Sequence, residues 1–196
     1  MFALAGIPIR GLADKMSDEE FFEFCQANDH IQMERDANGN IYIMSPVGSN
    51  SGNLEARIIT FLELWNMESS KGRVFSSSTG FTLPDNSVRS PDTAWLSLEK
   101  WEQLCEEEKK GFAPVVPEFV VELRSESDDL RQLQQKMTEV WIANGVLLAW
   151  LIDPAEEIAY IYRAGGFTNM VKGFDQSLSG EDVLEGFEFE LKNLII

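Results

Sequence analysis

Four side chains stand where their chemistry could combine: Asp92, Glu122, Arg124 and Lys136. Asp92 directly follows Pro91 at the start of a strand-like run, and Glu122 interrupts the apolar run FVVEL over 119–123. A charged group in such a run needs a partner or a metal. If the two runs pair in one sheet, the carboxylates converge at one edge. Two or three oxygen ligands plus waters suit Mg²⁺, which dislikes closed protein cages. Such an ion can lower the pKa of a bound water and stabilise charge on a phosphate. Arg124 shares a strand face with Glu122 and could hold a phosphate oxygen, but it stays protonated and cannot act as a base. Lys136, one helix later, lies on the margin of an apolar stripe beside Val140 and could reach over the sheet edge. Glu55, on the margin of an earlier helix, is a further candidate carboxylate. Each residue also has an ordinary explanation: a strand-end acid after a proline, a cross-face ion pair of little energetic value, a solvated lysine.

Other chemistry is scarce. His30 is the only histidine, and Cys25 and Cys105 lack CxxC spacing. Ser-His-Asp, Cys-His and multi-histidine metal sites are therefore excluded, as is a disulfide framework. Trp65, Trp95, Trp101, Trp141 and Trp150 fall on expected helices or strands and read as core or half-core. The glycine-containing loop at 48–52 lacks Walker spacing.

The elements that must position these groups follow from pattern. Ser17 caps a short helix that ends near Asn28. Asn38-Gly39 turns a hairpin between runs at 31–34 and 40–44. Residues 45–53 read as a loop feeding a helix over 54–68, with the stripe Leu54, Ile58, Phe61, Leu62 and Trp65. Strands are expected at 73–76, 80–83 and 92–98, then a surface helix at 97–110. In 117–124, Phe119, Val121 and Leu123 point one way and Glu118, Val120, Glu122 and Arg124 the other. Ser127 or Asp128 caps a helix over 129–143, which crosses to a buried strand at 146–152. A strand follows at 158–162, and 180–187 suggests a short helix. A helix between two such strands implies a crossover and hence a mixed sheet.

The chain has 196 residues, enough for one well-cored domain. Its 16 Lys+Arg against 33 Asp+Glu give a net charge of −17. Taken whole, that opposes general nucleic-acid binding and attachment to an anionic membrane. No apolar run reaches the length of a bilayer span. Residues 1–10 are too short for a signal peptide and lack a basic start. The expectation is a soluble, cytoplasmic protein.

The ordered motifs sharpen this. Met44-Ser45-Pro46-Val47-Gly48, FSSSTGF over 75–81, Arg89-Ser90-Pro91-Asp92, PEFVVELRS over 117–125, Lys136-Met137, Asn144-Gly145-Val146 and WLIDP over 150–154 resemble the Uma2 family of restriction-endonuclease-like proteins. The resemblance runs from about Met16 to the C-terminus. It implies an α/β PD-(D/E)XK fold, a central mixed β-sheet flanked by helices, here with an N-terminal helix-hairpin extension at 1–44, a core at 45–163 and a C-terminal extension at 164–196 within one domain. It implies Mg²⁺-dependent (or Mn²⁺-dependent) cleavage of DNA phosphodiester bonds, and a homodimer able to cut two strands. Asp92 matches the aspartate of the PD pair and Glu122 the acid of the (D/E)XK element. Arg124 stands where that element has lysine, and Lys136 matches a lysine supplied from the following helix. Asp92, Glu122 and Glu55 would hold the metal, Lys136 would orient or activate the water, and Arg124 would stabilise the phosphate. A non-catalytic protein-interaction or regulatory module on the same fold is the rival, and an enzyme acting on another phosphate is a third possibility.

Charge by segment bears on that choice. Nine of the 16 basic residues fall in 71–136, the stretch holding Asp92, Glu122 and Lys136. Local potential decides whether phosphate can approach. The net charge thus does not exclude a nuclease but predicts weak, salt-sensitive and metal-dependent DNA binding, and a basic groove around Asp92 is what would separate a nuclease from the non-catalytic rival.

Overall fold

The computed structural model describes residues 6–9, 16–166 and 168–195. Most of the segment inspected for a leader, 1–10, lies outside the described residues. The strands in chain order are β1 (Gly6–Ile9), β2 (Gln32–Arg35), β3 (Ile41–Met44), β4 (Gly72–Ser76), β5 (Phe81–Thr82), β6 (Val88–Arg89), β7 (Thr93–Ser97), β8 (Phe119–Leu123), β9 (Leu148–Asp153), β10 (Ile158–Arg163), β11 (Thr168–Lys172), β12 (Ser177–Ser179) and β13 (Glu188–Glu190). The α-helices are α1 (Asp18–Ala27), α2 (Ser49–Ser69), α3 (Leu98–Gln103), α4 (Glu106–Lys110) and α5 (Leu130–Gln135), the last continued by a π-helical segment, Lys136–Ile142.

The main sheet runs β11-β10-β9-β8-β7-β4. Only β8 and β9 are parallel, joined by the helical crossover, so the sheet is mixed as expected. Its two faces carry separate cores because β8 alternates. Phe119, Val121 and Leu123 pack with α2 and with Phe187, Phe189 and Leu191 of the C-terminal segment. Val120 packs with Leu133, Met137 and Trp141 on the opposite face. A smaller sheet runs β1-β3-β2-β6-β5. The β2–β3 hairpin turns where Asn38-Gly39 predicts, with Gly39 at φ 83° in the region glycine favours.

Several boundaries differ from the sequence pattern. Helix α2 begins at Ser49, inside the stretch read as a loop. First-turn N–H groups have no i−4 partner in any helix, so Ser49, Asn50 and Ser51 fit there despite weak propensity. The helix expected at 97–110 is two short helices, because Leu104 turns inward in extended conformation and is buried. Segment 180–187 is a series of turns, with Glu181 at φ 51° and Gly186 at φ 83°, which no right-handed helix accommodates. Asp129 rather than Ser127 or Asp128 caps α5, accepting from Arg131 and Gln132 N–H. The hairpin of 1–44 shares its sheet with β5 and β6, and β11 of 164–196 extends the main sheet. Both extensions are thus built into the body of the fold. Among the described residues, no helix is long and apolar enough to cross a membrane.

Candidate active site

Strands β7 and β8 pair antiparallel, with Thr93 opposite Val121 and Ala94 opposite Val120. Continuing that register one step sets Asp92 opposite Glu122. Both then project from the face that carries Ala94 and Val120. Side chains on directly opposed residues sit close together, and like charges there repel. The next step sets Pro91 opposite Leu123. The Leu123 N–H donates to Asp92 Oδ2 at 2.6 Å. In an extended residue the carbonyl points to the same side as the N–H, so the Leu123 carbonyl faces this corner too. Pro91 has no N–H with which to occupy it.

Glu122 is buried and doubly held. Its Oε1 accepts from Trp141 Nε1 at 2.8 Å and lies 2.8 Å from Lys136 Nζ. One carboxylate reaches both residues because of the π segment. In an α-helix, positions five apart differ by about 140° around the axis. The i→i+5 winding, visible where the Ala143 N–H donates to Thr138 O, brings Lys136 and Trp141 to one face. Lys136 is thus turned inward, with its side chain 10% exposed, rather than lying on a helix margin.

Behind Lys136 stands a carboxylate that the sequence reading did not single out. Glu34, on β2, lies 3.9 Å from Lys136 Nζ through Oε1. The same Oε1 accepts from Ser90 N–H at 3.0 Å, and Oε2 accepts from Arg89 at 2.9 Å. Burial pushes the Glu34 carboxyl up, but Lys136, Arg89 and the Ser90 N–H outweigh it and hold it low. Burial opposes the charge on Lys136 too, yet Glu122 and Glu34 keep it protonated well above the ordinary lysine range. Asp92 is raised well above the usual carboxylate range by burial and by Glu122, with a smaller push from Glu55. Glu122 is also raised, burial outweighing the pull of Lys136. Burial, with Glu122 behind it, raises Glu55, which otherwise meets the Ser77 hydroxyl at 3.4 Å.

Asp92, Glu122, Glu55 and Lys136 all line one cavity of about 390 Å³, with Ser45, Ser51, Ser77, Ser90 and Ser125 around them. Arg124 does not line it. It shares the Glu122 face, but Asp153, one step beyond the Leu123–Ile152 pair on parallel β9, draws its guanidinium the other way at 2.5 Å. Asp153 is 1% exposed, so that pairing satisfies a buried charge, and Arg124 is not placed to stabilise a phosphate in the cavity. Among the described residues, the basic groove that would mark a nuclease does not line this cavity. Glu55, Asp92, Glu122, Asp128 and Asp129 line the cavity, and among the described residues Lys136 is its one lysine or arginine.

The donor set fits a hard divalent cation on its chemistry. Two opposed carboxylates that repel each other offer oxygen ligands of the kind that Mg²⁺ takes alongside its waters. Among the described residues, no group of three or more His, Cys, Asp or Glu side chains is gathered closely enough to hold a metal by itself. Asp92 and Glu122 are the directly opposed pair, and Glu55 lines the same cavity and feels the charge of Glu122. Glu34 and Arg89 are the partners the sequence did not reveal. The available signal was Arg89 beside the Ser90-Pro91-Asp92 motif, a charge on a short strand that needs an anion once buried.

Comparison with known proteins bears on the fold and the family. A putative nuclease belonging to DUF820 from Anabaena variabilis superposes with a TM-score of 0.67 at 17% identity, covering 83% of this chain and 88% of that one. No curated protein matches the chain. The model of the Uma2 family, described as "Putative restriction endonuclease", matches residues 18–192, nearly the whole length, and the chain belongs to that family.

Proposed function

We propose that this protein is a divalent-metal-dependent endonuclease that hydrolyses DNA phosphodiester bonds with Mg²⁺ or Mn²⁺. The observation that carries the reading is Asp92 opposite Glu122, with Lys136 held on Glu122 inside one cavity. Asp92 and Glu122 would hold the ion. When bound, a divalent cation supplies Lewis acidity at a phosphate and acidifies a water. Lys136 lies between Glu122 and Glu34, which favour its charged form, so in this arrangement it donates hydrogen bonds and charge. Its role is to orient the attacking water or a phosphate oxygen. The N-terminus of α2 assists: Ser51 of its first turn lines the cavity, and that turn holds no acid to cancel the positive end of the helix.

Mn²⁺ titration calorimetry paired with plasmid nicking tests the assignment. Asp92→Ala and Glu122→Gln are expected to abolish Mn²⁺ binding and lower nicking about 100-fold or more. Both signals unchanged in both variants would sink the site assignment. The acidic cavity lining supports a second reading, a nuclease-fold protein that acts through a protein partner. Absence of nicking across Mg²⁺, Mn²⁺ and Co²⁺ with a purified partner bound would favour it.

A further inference from the structure

The smaller sheet supplies neither Asp92 nor Glu122, yet it delivers a buried carboxylate to the lysine beside them. Glu34 is 3% exposed, and its two oxygens have different tasks. Oε2 takes the Arg89 guanidinium, while Oε1 takes the Ser90 N–H and faces Lys136. Ser90 leads within two residues to Asp92, and Lys136 grips Glu122. One carboxylate therefore connects both halves of the opposed pair from outside the main sheet.

The geometry is poor for a glutamate whose only task is to neutralise Arg89. A fork-to-fork pair would use both oxygens on the guanidinium. Among the described residues, Arg89 is held by one carboxylate oxygen only, and its buried Nε has no hydrogen-bond partner. The oxygen that would complete the fork is committed to Ser90 and Lys136 instead. We propose that Glu34 is a positioning residue, fixing Lys136 against Glu122 and the segment leading to Asp92 against β8. Its functional meaning rests on the nuclease reading. The geometric claim does not.

The discriminating variants are Glu34→Gln, Arg89→Gln and the two combined. Glu34→Gln alone strands a buried guanidinium and is expected to lower the melting temperature. The double variant removes both charges and is expected to melt near the wild type. A purely structural pair would then be fully rescued. A positioning residue would not: in the double variant, Mn²⁺ affinity by calorimetry and kcat for nicking each fall about 10- to 100-fold. KM for DNA changes less than about threefold, because Glu34 does not itself line the cavity. Arg89→Gln, which leaves Glu34 facing Lys136, loses stability more than kcat. Wild-type Mn²⁺ affinity and kcat in the double variant would overturn the proposal. If the wild-type chain neither binds Mn²⁺ nor nicks DNA, the nuclease reading has failed. A crystal structure of the double variant then decides the positioning claim. Displacement of Lys136 Nζ from Glu122, or of Ser90 from its present place, upholds it, and both unmoved refutes it.

Discussion

If Asp92 and Glu122 are opposed without a cation, the metal-free fold should be strained electrostatically, and removing one charge should stabilise it. Asp92→Asn is the cleanest perturbation, since the amide oxygen can still accept the Leu123 N–H. Directly opposed side chains begin about 5 Å apart. At an effective dielectric of about 20, two charges at that distance repel by about 3 kcal/mol. Lys136 offsets part of this through Glu122, leaving about 1–2 kcal/mol to be recovered. For a chain of this size, that raises the melting temperature by about 2–8 °C. The pH dependence has a definite sign. Burial, then mutual repulsion, holds the folded Asp92 carboxyl above its unfolded value. Such an acid keeps its stability contribution below about pH 4 and loses it as pH rises through the raised folded value. The gain from Asp92→Asn should thus grow from near zero at about pH 4 to its full size near pH 8. Melting in EDTA across that range measures it. In Mn²⁺ the order should invert, because binding adds about 2.7 kcal/mol to the wild type at 100 times its Kd and nothing to the variant. A variant less stable than wild type at pH 8 in EDTA, or a gain flat with pH, would refute the reasoning.

Two further substitutions probe neighbouring charges. Lys136→Met leaves Glu122 buried without its cation and should cost about 3 kcal/mol in urea denaturation at pH 8, less at pH 5, where Glu122 can take up a proton instead. Arg124→Gln strands buried Asp153 and should cost about 2 kcal/mol while leaving Mn²⁺ affinity within about twofold. A large loss of affinity would return Arg124 to the site.

Particular residues show how far the sequence reaches. The β8–β9 crossover was legible because FVVEL alternates between two cores and a helical period follows it. Glu122 was legible because a charge in such a strand demands a partner. Arg124 was only half legible: alternation fixes the face of a side chain but not which neighbouring strand it leans toward, and buried Asp153 decided that. The π segment was illegible because apolar periodicity does not distinguish i→i+4 from i→i+5 winding over seven residues. Glu34 was illegible because it ends the hairpin run at 31–34, and an acid at a strand end has no mark in the sequence that sets it apart from a solvated one. Only the pairing of β2 with β6 carries it to residues 89 and 90.

The acidity of the chain also acquires a different meaning. Basic residues do concentrate in 71–136, but the fold commits many of them to carboxylates: Lys71 to Glu185, Arg89 to Glu34, Lys100 to Glu118, Lys109 to Glu106, Arg124 to Asp153 and Lys136 to Glu122. Local composition therefore does not become local potential, because each pairing cancels the field a phosphate would feel. Under the nuclease reading, the positive charge that draws a phosphate into a cavity lined by five acids has to arrive with the cation. Metal occupancy would then precede substrate approach, and a cation between Asp92 and Glu122 would relieve the repulsion by Glu122 that adds to burial in raising the Asp92 carboxyl.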